Sequence, residues 1–327
     1  MDAKEPTTLS SRPSGARPAR TRAGPAIVEP ADAAYAEVAK LDPEDAGTAS
    51  AEIVPGEATR LAPGVRRVTA PNPSFMTGPG TNSYVLGDGD DVAIVDPGPP
   101  IDAHIEALLE HAGGRVRTIL VTHTHPDHSP AAAYLKARTG ARLLGMKPPK
   151  LELQDQTFAP DHVPADGERI EVGGAILRAI HTPGHASNHL CYLLEAERIV
   201  FTGDHVMQGS TVVINPPDGD MTAYLASLDR LRNEAPLYLA PGHGFLIGEP
   251  ADLIERLVRH RLFRESKTLN ALRATGGGSL EALVPRVYDD VPADRHRVAA
   301  RSLLAHLIKL RDEGKAEESG GSWKAAA

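Results

Sequence analysis

The chain of 327 residues contains a single cysteine, Cys191. That excludes an internal disulfide and any cysteine-built zinc site, and makes a reducing, cytoplasmic-type compartment the expectation. No run approaches the roughly 18 uninterrupted apolar residues of a membrane helix, and the N-terminus has no apolar segment of signal-peptide type. Neither a membrane partner nor export is therefore expected. There is no P-loop, no G-x-G-x-x-G and no internal repeat. What is present is ordinary in bulk, with 41% hydrophobic and 24% charged residues, so wholesale disorder is excluded. The length suggests about two domains. The net charge of −8 is unevenly spread, because residues 251–315 carry a local excess of +4. The acidic body does not attract polyanions, whereas the basic segment could do so locally. Histidine is abundant, at 14 residues.

Residues 1–58 are rich in Ala, Pro, Ser, Gly and charge, and read as a disordered or weakly ordered extension with at most a short helix at Ala31–Lys40. From 59 to 249, short β-rich runs are broken by Gly and Pro. Strands are predicted at Asn82–Leu86, Val92–Asp96, Val116–Thr122, Ala141–Met146, Ala175–Ile180, His189–Leu194, Arg198–Thr202 and Leu237–Ala240. Helices are predicted at Ile101–Ala112, Pro130–Thr139 and Asp220–Asn233. This alternation points to a layered α/β domain. Residues 250–315 then read as three helices, Ala251–Ala274, Leu280–Tyr288 with Ser279 as cap, and Asp294–Asp312. Residues 316–327, with Trp323, read as a disordered tail.

The chemistry concentrates at strand ends. Thr122-His123-Thr124-His125-Pro126-Asp127-His128 follows an apolar strand. His123 and His125, two apart, point the same way and can share one ion, while Asp127 and His128 follow a turn at Pro126. Neutral imidazole and carboxylate suit zinc, and also iron or manganese. His181-Thr182-Pro183-Gly184-His185, Gly203-Asp204-His205 and Pro241-Gly242-His243-Gly244 end three other strands. Four strand ends bearing metal-type residues imply one convergent site.

The set His123-x-His125-x-Asp127-His128, His185, Asp204 and His243, together with Val95-Asp96-Pro97-Gly98 and Thr81-Asn82-Ser83-Tyr84, resembles the metallo-β-lactamase superfamily pattern over about residues 61–248. The resemblance implies a four-layer αββα sandwich with two zinc ions at its rim. His123, His125 and His185 would hold one ion, Asp127, His128 and His243 the other, and Asp204 would bridge them. Tyr288-Asp289 and the run Ala299–Leu310 resemble the small winged-helix-like C-terminal domain of the beta-lactamase-like protein 2 group. In that group metal-dependent hydrolysis, including cleavage of single-stranded RNA, is implied.

The expected activity is hydrolysis by a metal-bound hydroxide, since two ions lower the pKa of a water toward about 7. The substrate is an ester, thioester or lactone, or an RNA phosphodiester. Asp127 is assigned as proton acceptor and His205 as proton donor to the leaving group. Asp96, His181 and His189 are assigned to support the ligands from behind. Alternatives are an oxidoreductase with one iron, of the persulfide-dioxygenase kind, and, less expected, a β-lactamase. A homo-oligomer is left open.

Overall fold

The computed structural model describes residues 53–113 and 115–326; the helix expected at Ala31–Lys40 lies outside them. One six-stranded sheet runs in the order β1 (Ala58–Ala62), β2 (Val65–Thr69), β3 (Asn82–Leu86), β4 (Val92–Val95), β5 (Val116–Leu120), β6 (Arg142–Leu144). Its first four strands are antiparallel neighbours, and β4, β5 and β6 are parallel. Parallel neighbours need crossovers, which α1 (Asp102–His111) and α2 (Ala131–Thr139) supply. The second sheet runs β11 (Tyr238–Pro241), β10 (Ile199–Gly203), β9 (Leu190–Leu194), β8 (Ala175–His181), β7 (Arg169–Val172). Only β10 and β11 are parallel there, joined through α3 (Met221–Asn233).

Strand periodicity explains the layering. In β4 the residues Val92 and Ile94 pack against Ile105 and Leu108 of α1, while Ala93 and Val95 face the other sheet. Between the sheets lie Leu86, Leu120, Leu177, Tyr192 and Phe201. Outside the second sheet, Cys191, Leu193 and Val200 pack on Tyr224, Leu228 and Leu231 of α3. The result is the α/β, helix–sheet–sheet–helix sandwich that the resemblance implied.

The chain then enters α4 (Pro250–Thr275), whose first half joins this outer core through Leu253, Ile254 and Leu257. Its far end contributes Leu272 to a separate core with α5 (Leu280–Val287) and α6 (His296–Asp312). The expected tail at 316–327 is corrected here. Ala316–Ser319 (β13) and Ser322–Ala325 (β14) form a hairpin, and β14 also pairs with Gly278–Ser279 (β12). Trp323 is only 5% exposed in that core, so the hairpin is a wing on the helices. The N-terminal expectation also shifts. Residues 53–58 are not loose, since the Gly56 N–H donates to the Thr69 carbonyl at 2.9 Å and β1 begins at Ala58. Among the described residues no helix is long and apolar enough to cross a membrane.

Candidate metal centre

Strand direction delivers the functional side chains. β8 and β10 are both antiparallel to β9, and β11 is parallel to β10, so all three end at one edge of their sheet. The segment after β5 meets that edge, where the Leu190 N–H donates to the Thr122 carbonyl at 2.7 Å. The Asn82 side chain donates to the carbonyls of Pro241 and Gly244, and the Tyr84 hydroxyl also donates to Pro241. The motif at residues 81–84 thus anchors the turn that carries His243.

Two groups of donors converge. His125 Nδ1 lies 3.0 Å from both His123 Nε2 and His185 Nε2. One proton cannot serve both contacts, so lone pairs are left facing each other, an arrangement a cation relieves. Burial, and then the neighbouring His128 and His125 rings, hold the His123 imidazole well below its usual range. Burial and His185 push His125 down to about 3. These rings are therefore neutral near pH 7, as metal ligation requires.

In the second group, Asp127 Oδ2 lies 3.5 Å from His128 Nε2 and 3.3 Å from His243 Nε2. Asp204 Oδ1 lies 3.4 Å and 3.3 Å from the same two nitrogens. Ligands held tetrahedrally at about 2.0–2.1 Å from an ion sit about 3.3–3.4 Å apart, which these spacings match. His128 Nε2 and Asp204 Oδ1 are also buried without a hydrogen-bond partner among the described residues. The other Asp204 oxygen lies 3.7 Å from His185 Nε2, so this carboxylate faces both groups. The residues present fit a pair of divalent cations. Burial opposes ionisation of Asp127, but His128 and His243 outweigh it and hold the carboxyl at about 2.

The remaining ring nitrogens are held from behind. His128 Nδ1 faces Asp96 Oδ2 at 3.0 Å, His185 Nδ1 the Val213 carbonyl at 2.8 Å, and His243 Nδ1 the Gly80 carbonyl at 3.1 Å. Asp96 has a left-handed backbone (φ 49°) and accepts both the N–H and the hydroxyl of Thr122 at 2.7 Å. His189 stacks on His123, with ring centroids 5.0 Å apart, and its Nδ1 faces the Thr182 hydroxyl at 2.9 Å.

Two expected roles are not supported by position. His205 is completely buried, lies against the Tyr224 ring at 5.1 Å and does not line the cavity over the cluster. Burial pushes it down to about 3, so it has no proton to give a leaving group there. His181 sits at the rim with Nε2 facing the Ser187 carbonyl at 3.1 Å, touching none of the cluster.

The cavity itself was not anticipated. It measures about 890 Å³, and His125, Asp127, His185, Asp204 and His243 form one part of its wall. Phe75, Met76, Leu153 and Met207 from sandwich loops and Val298 and Arg301 from α6 are among those that form the opposite part. The available signal was Phe75-Met76, large apolar residues in a Pro- and Gly-rich loop, which remain 65% and 49% exposed. Of the loop motifs left without a role, Met207, Gly209, Ser210 and Asp218 line the cavity. Asp161 and His162 instead pair with Lys136 and Glu168, away from it.

One segment ties the cluster to the C-terminal helices. The Val212 carbonyl accepts from the buried Arg261 guanidinium of α4, and the Ile214 N–H donates to Ser302 Oγ of α6 at 3.3 Å. Between them the Val213 carbonyl orients His185.

Residues 76–243 match the family model of the metallo-beta-lactamase superfamily, and residues 279–323 that of the beta-lactamase associated winged helix domain. The chain is 33% identical over 274 residues to a beta-lactamase-like protein 2 homolog from Drosophila melanogaster, covering 79% of this chain and 91% of that one. It is 31% identical over 271 residues to an atrochrysone carboxyl ACP thioesterase from Aspergillus chevalieri, covering 78% and 83%. A solved structure, a beta-lactamase domain protein from Burkholderia ambifaria, superposes with a TM-score of 0.75 at 24% identity over 88% of this chain and 99% of that one.

Proposed function

Because the chain belongs to the metallo-β-lactamase superfamily and carries its associated winged-helix domain, we propose that this metal-dependent hydrolase uses two zinc ions to cut an acyl thioester or ester bound between its two domains. The observation that carries this reading is the cavity. At about 890 Å³ it falls in the range of small-ligand sites, about 300–1,000 Å³, and much of its wall is apolar. A single-stranded RNA would instead call for an extended groove with successive stacking surfaces, whereas α6 directs the apolar Val298 and Ala299, with Arg301 beside them, toward a cavity of small-ligand size. The similarity to a protein named as an ACP thioesterase favours the same substrate class.

Two divalent ions would supply the charge that lowers the pKa of a water and polarises the oxygen that gains charge. The chain supplies the rest. Asp127 lines the cavity and is the most exposed carboxylate of the cluster, its side chain 28% exposed against 13% for Asp204, so it is the group placed to accept a proton. The Thr81 hydroxyl donates to it at 3.4 Å and fixes its orientation. A thioester suits a cavity that His205 does not reach, because a thiol of pKa about 8–9 leaves as the anion more readily than an amine or an alcohol does.

The test pairs elemental analysis with assays on one batch of protein. About two zinc per chain and thioester hydrolysis are expected, and Asp127→Ala should lower kcat by about 100–10,000-fold with the circular dichroism spectrum retained. Cleavage of single-stranded RNA without thioester turnover would overturn the substrate assignment. One iron per chain with persulfide oxidation would overturn the reaction class.

A further inference from the structure

The C-terminal helices bring three arginines to the cavity wall, and among the described residues none of them has a carboxylate partner. Arg301 of α6 is half-buried, lines the cavity and makes no ion pair or hydrogen bond among the described residues. Arg295, just before α6, lines the mouth with its guanidinium carbon 5.0 Å from the centre of the Phe75 ring. Arg261 of α4 is 3% exposed, and its Nε has no hydrogen-bond partner among the described residues. It donates to the Val212 carbonyl and lies over the Tyr224 ring, and among the described residues no carboxylate is paired with it. The neighbouring Arg264 is the contrast, forked onto Asp290 at 2.7 and 2.8 Å. The acidic groups on this part of the lining do not offset them. Asp218 accepts from the Gln154 side chain and the Ser187 N–H, and Glu152 is exposed at the rim.

A buried guanidinium without a carboxylate is costly unless an anion arrives to meet the local field. Building on the hydrolase reading, we propose that the winged-helix wall is a subsite for a second anionic group of the substrate, a carboxylate or phosphate remote from the bond that is cut, paired by Arg301 and Arg295 in the field of Arg261. The preferred substrate thus has an apolar body in contact with Phe75, Met76, Leu153 and Val298, with a charge at the end away from the scissile carbonyl. The metal cluster cuts and the arginines select.

Two substrate pairs separate the sources of the anion. Butyryl and succinyl thioesters of N-acetylcysteamine differ by a carboxylate on the acyl part. Butyryl thioesters of pantetheine and phosphopantetheine differ by a phosphate on the leaving group. The anionic member of at least one pair should be preferred by about tenfold or more in kcat/KM, with the difference in KM, as one desolvated charge-assisted pair gives. In Arg295→Met/Arg301→Met that preference should fall toward one. Arg297→Met, on an exposed part of α6 outside the cavity, should leave it unchanged. Calorimetric binding of butyramide, succinamate, pantetheine and phosphopantetheine is the readout independent of turnover. Tighter binding of an anionic member, weakened about tenfold in the double variant, supports the subsite. Equal binding within both pairs overturns it, as does a double variant that weakens neutral and anionic members alike. Absence of turnover with all four thioesters would refute the thioester reading, while the binding measurement would still decide the subsite.

Discussion

Gly242 lies where a side chain has no room: a Cβ there would stand 2.7 Å from both Asp204 Oδ1 and His128 Cε1. Gly203 is constrained twice, by a left-handed backbone (φ 45°) and by the Thr122 hydroxyl 2.4 Å from where a Cβ would be. Gly242→Ala is therefore expected to push His128 and Asp204 apart. If the site holds two zinc ions as proposed, bound zinc should fall toward one per chain, with hydrolysis reduced about 100-fold or more, while melting changes little; elemental analysis beside calorimetry checks this. Retention of both ions would show that the turn can yield. The ligand-type residues were legible in the sequence because each stands at a strand end beside a Pro or Gly turn. His205 was misread for a reason of geometry. Neighbouring residues leaving a strand project to opposite sides, so with Asp204 facing the cavity, His205 is carried inward to Tyr224. His181 likewise shares a segment with His185 but ends on the Ser187 carbonyl.

At the scale of elements, the segment Val212–Ile214 joins a loop of the sandwich to two helices of the other domain. Its three consecutive backbone bonds reach Arg261, His185 and Ser302. Removing both outer anchors frees the carbonyl that orients His185, so Arg261→Met/Ser302→Ala should weaken binding of added zinc at His123, His125 and His185 about tenfold in chelator competition. The spectroscopic signature of the winged-helix domain should persist. Unchanged zinc affinity would mean that the segment holds its shape alone. Strands with buried apolar runs, such as Val92–Val95 and Leu190–Leu194, were readable from sequence. Those missed had their pattern masked. β2 contains Arg66 and Arg67, the latter buried against Phe245, and β7 alternates exposed Arg169 and Glu171 around a single hairpin. The wing was hidden because its one large apolar residue, Trp323, finds its partners, Leu272, Leu283 and Leu303, far away in the chain.

For the whole molecule, the packing of the C-terminal helices on one another depends on charge. Arg264 is forked onto Asp290, and Lys309 pairs with Glu265 at 2.8 Å. Burial opposes ionisation of both carboxyls, but Arg264 holds Asp290 far below the usual range, and His306 and Lys309 hold Glu265 at about 2. Depressed carboxyls add stability that is fully present above their ordinary pKa, near 4, and is lost as pH falls toward 2. The winged-helix domain should therefore open in acid. Trp323, the only tryptophan and almost wholly buried, should report this as a red shift of emission between about pH 4 and 2. In Asp290→Asn, stability at neutral pH should be lower and its slope with pH shallower, and an unaltered slope would assign the acid sensitivity elsewhere. The cavity, finally, divides inheritance between the two domains. Its reactive wall is made by strand ends, where nearly any change disturbs an ion. Its other wall is made by α4 and α6, where a residue that does not hold the Val212–Ile214 segment, such as Arg301, can change what fits without disturbing an ion. Such a protein can change its diet without relearning its chemistry.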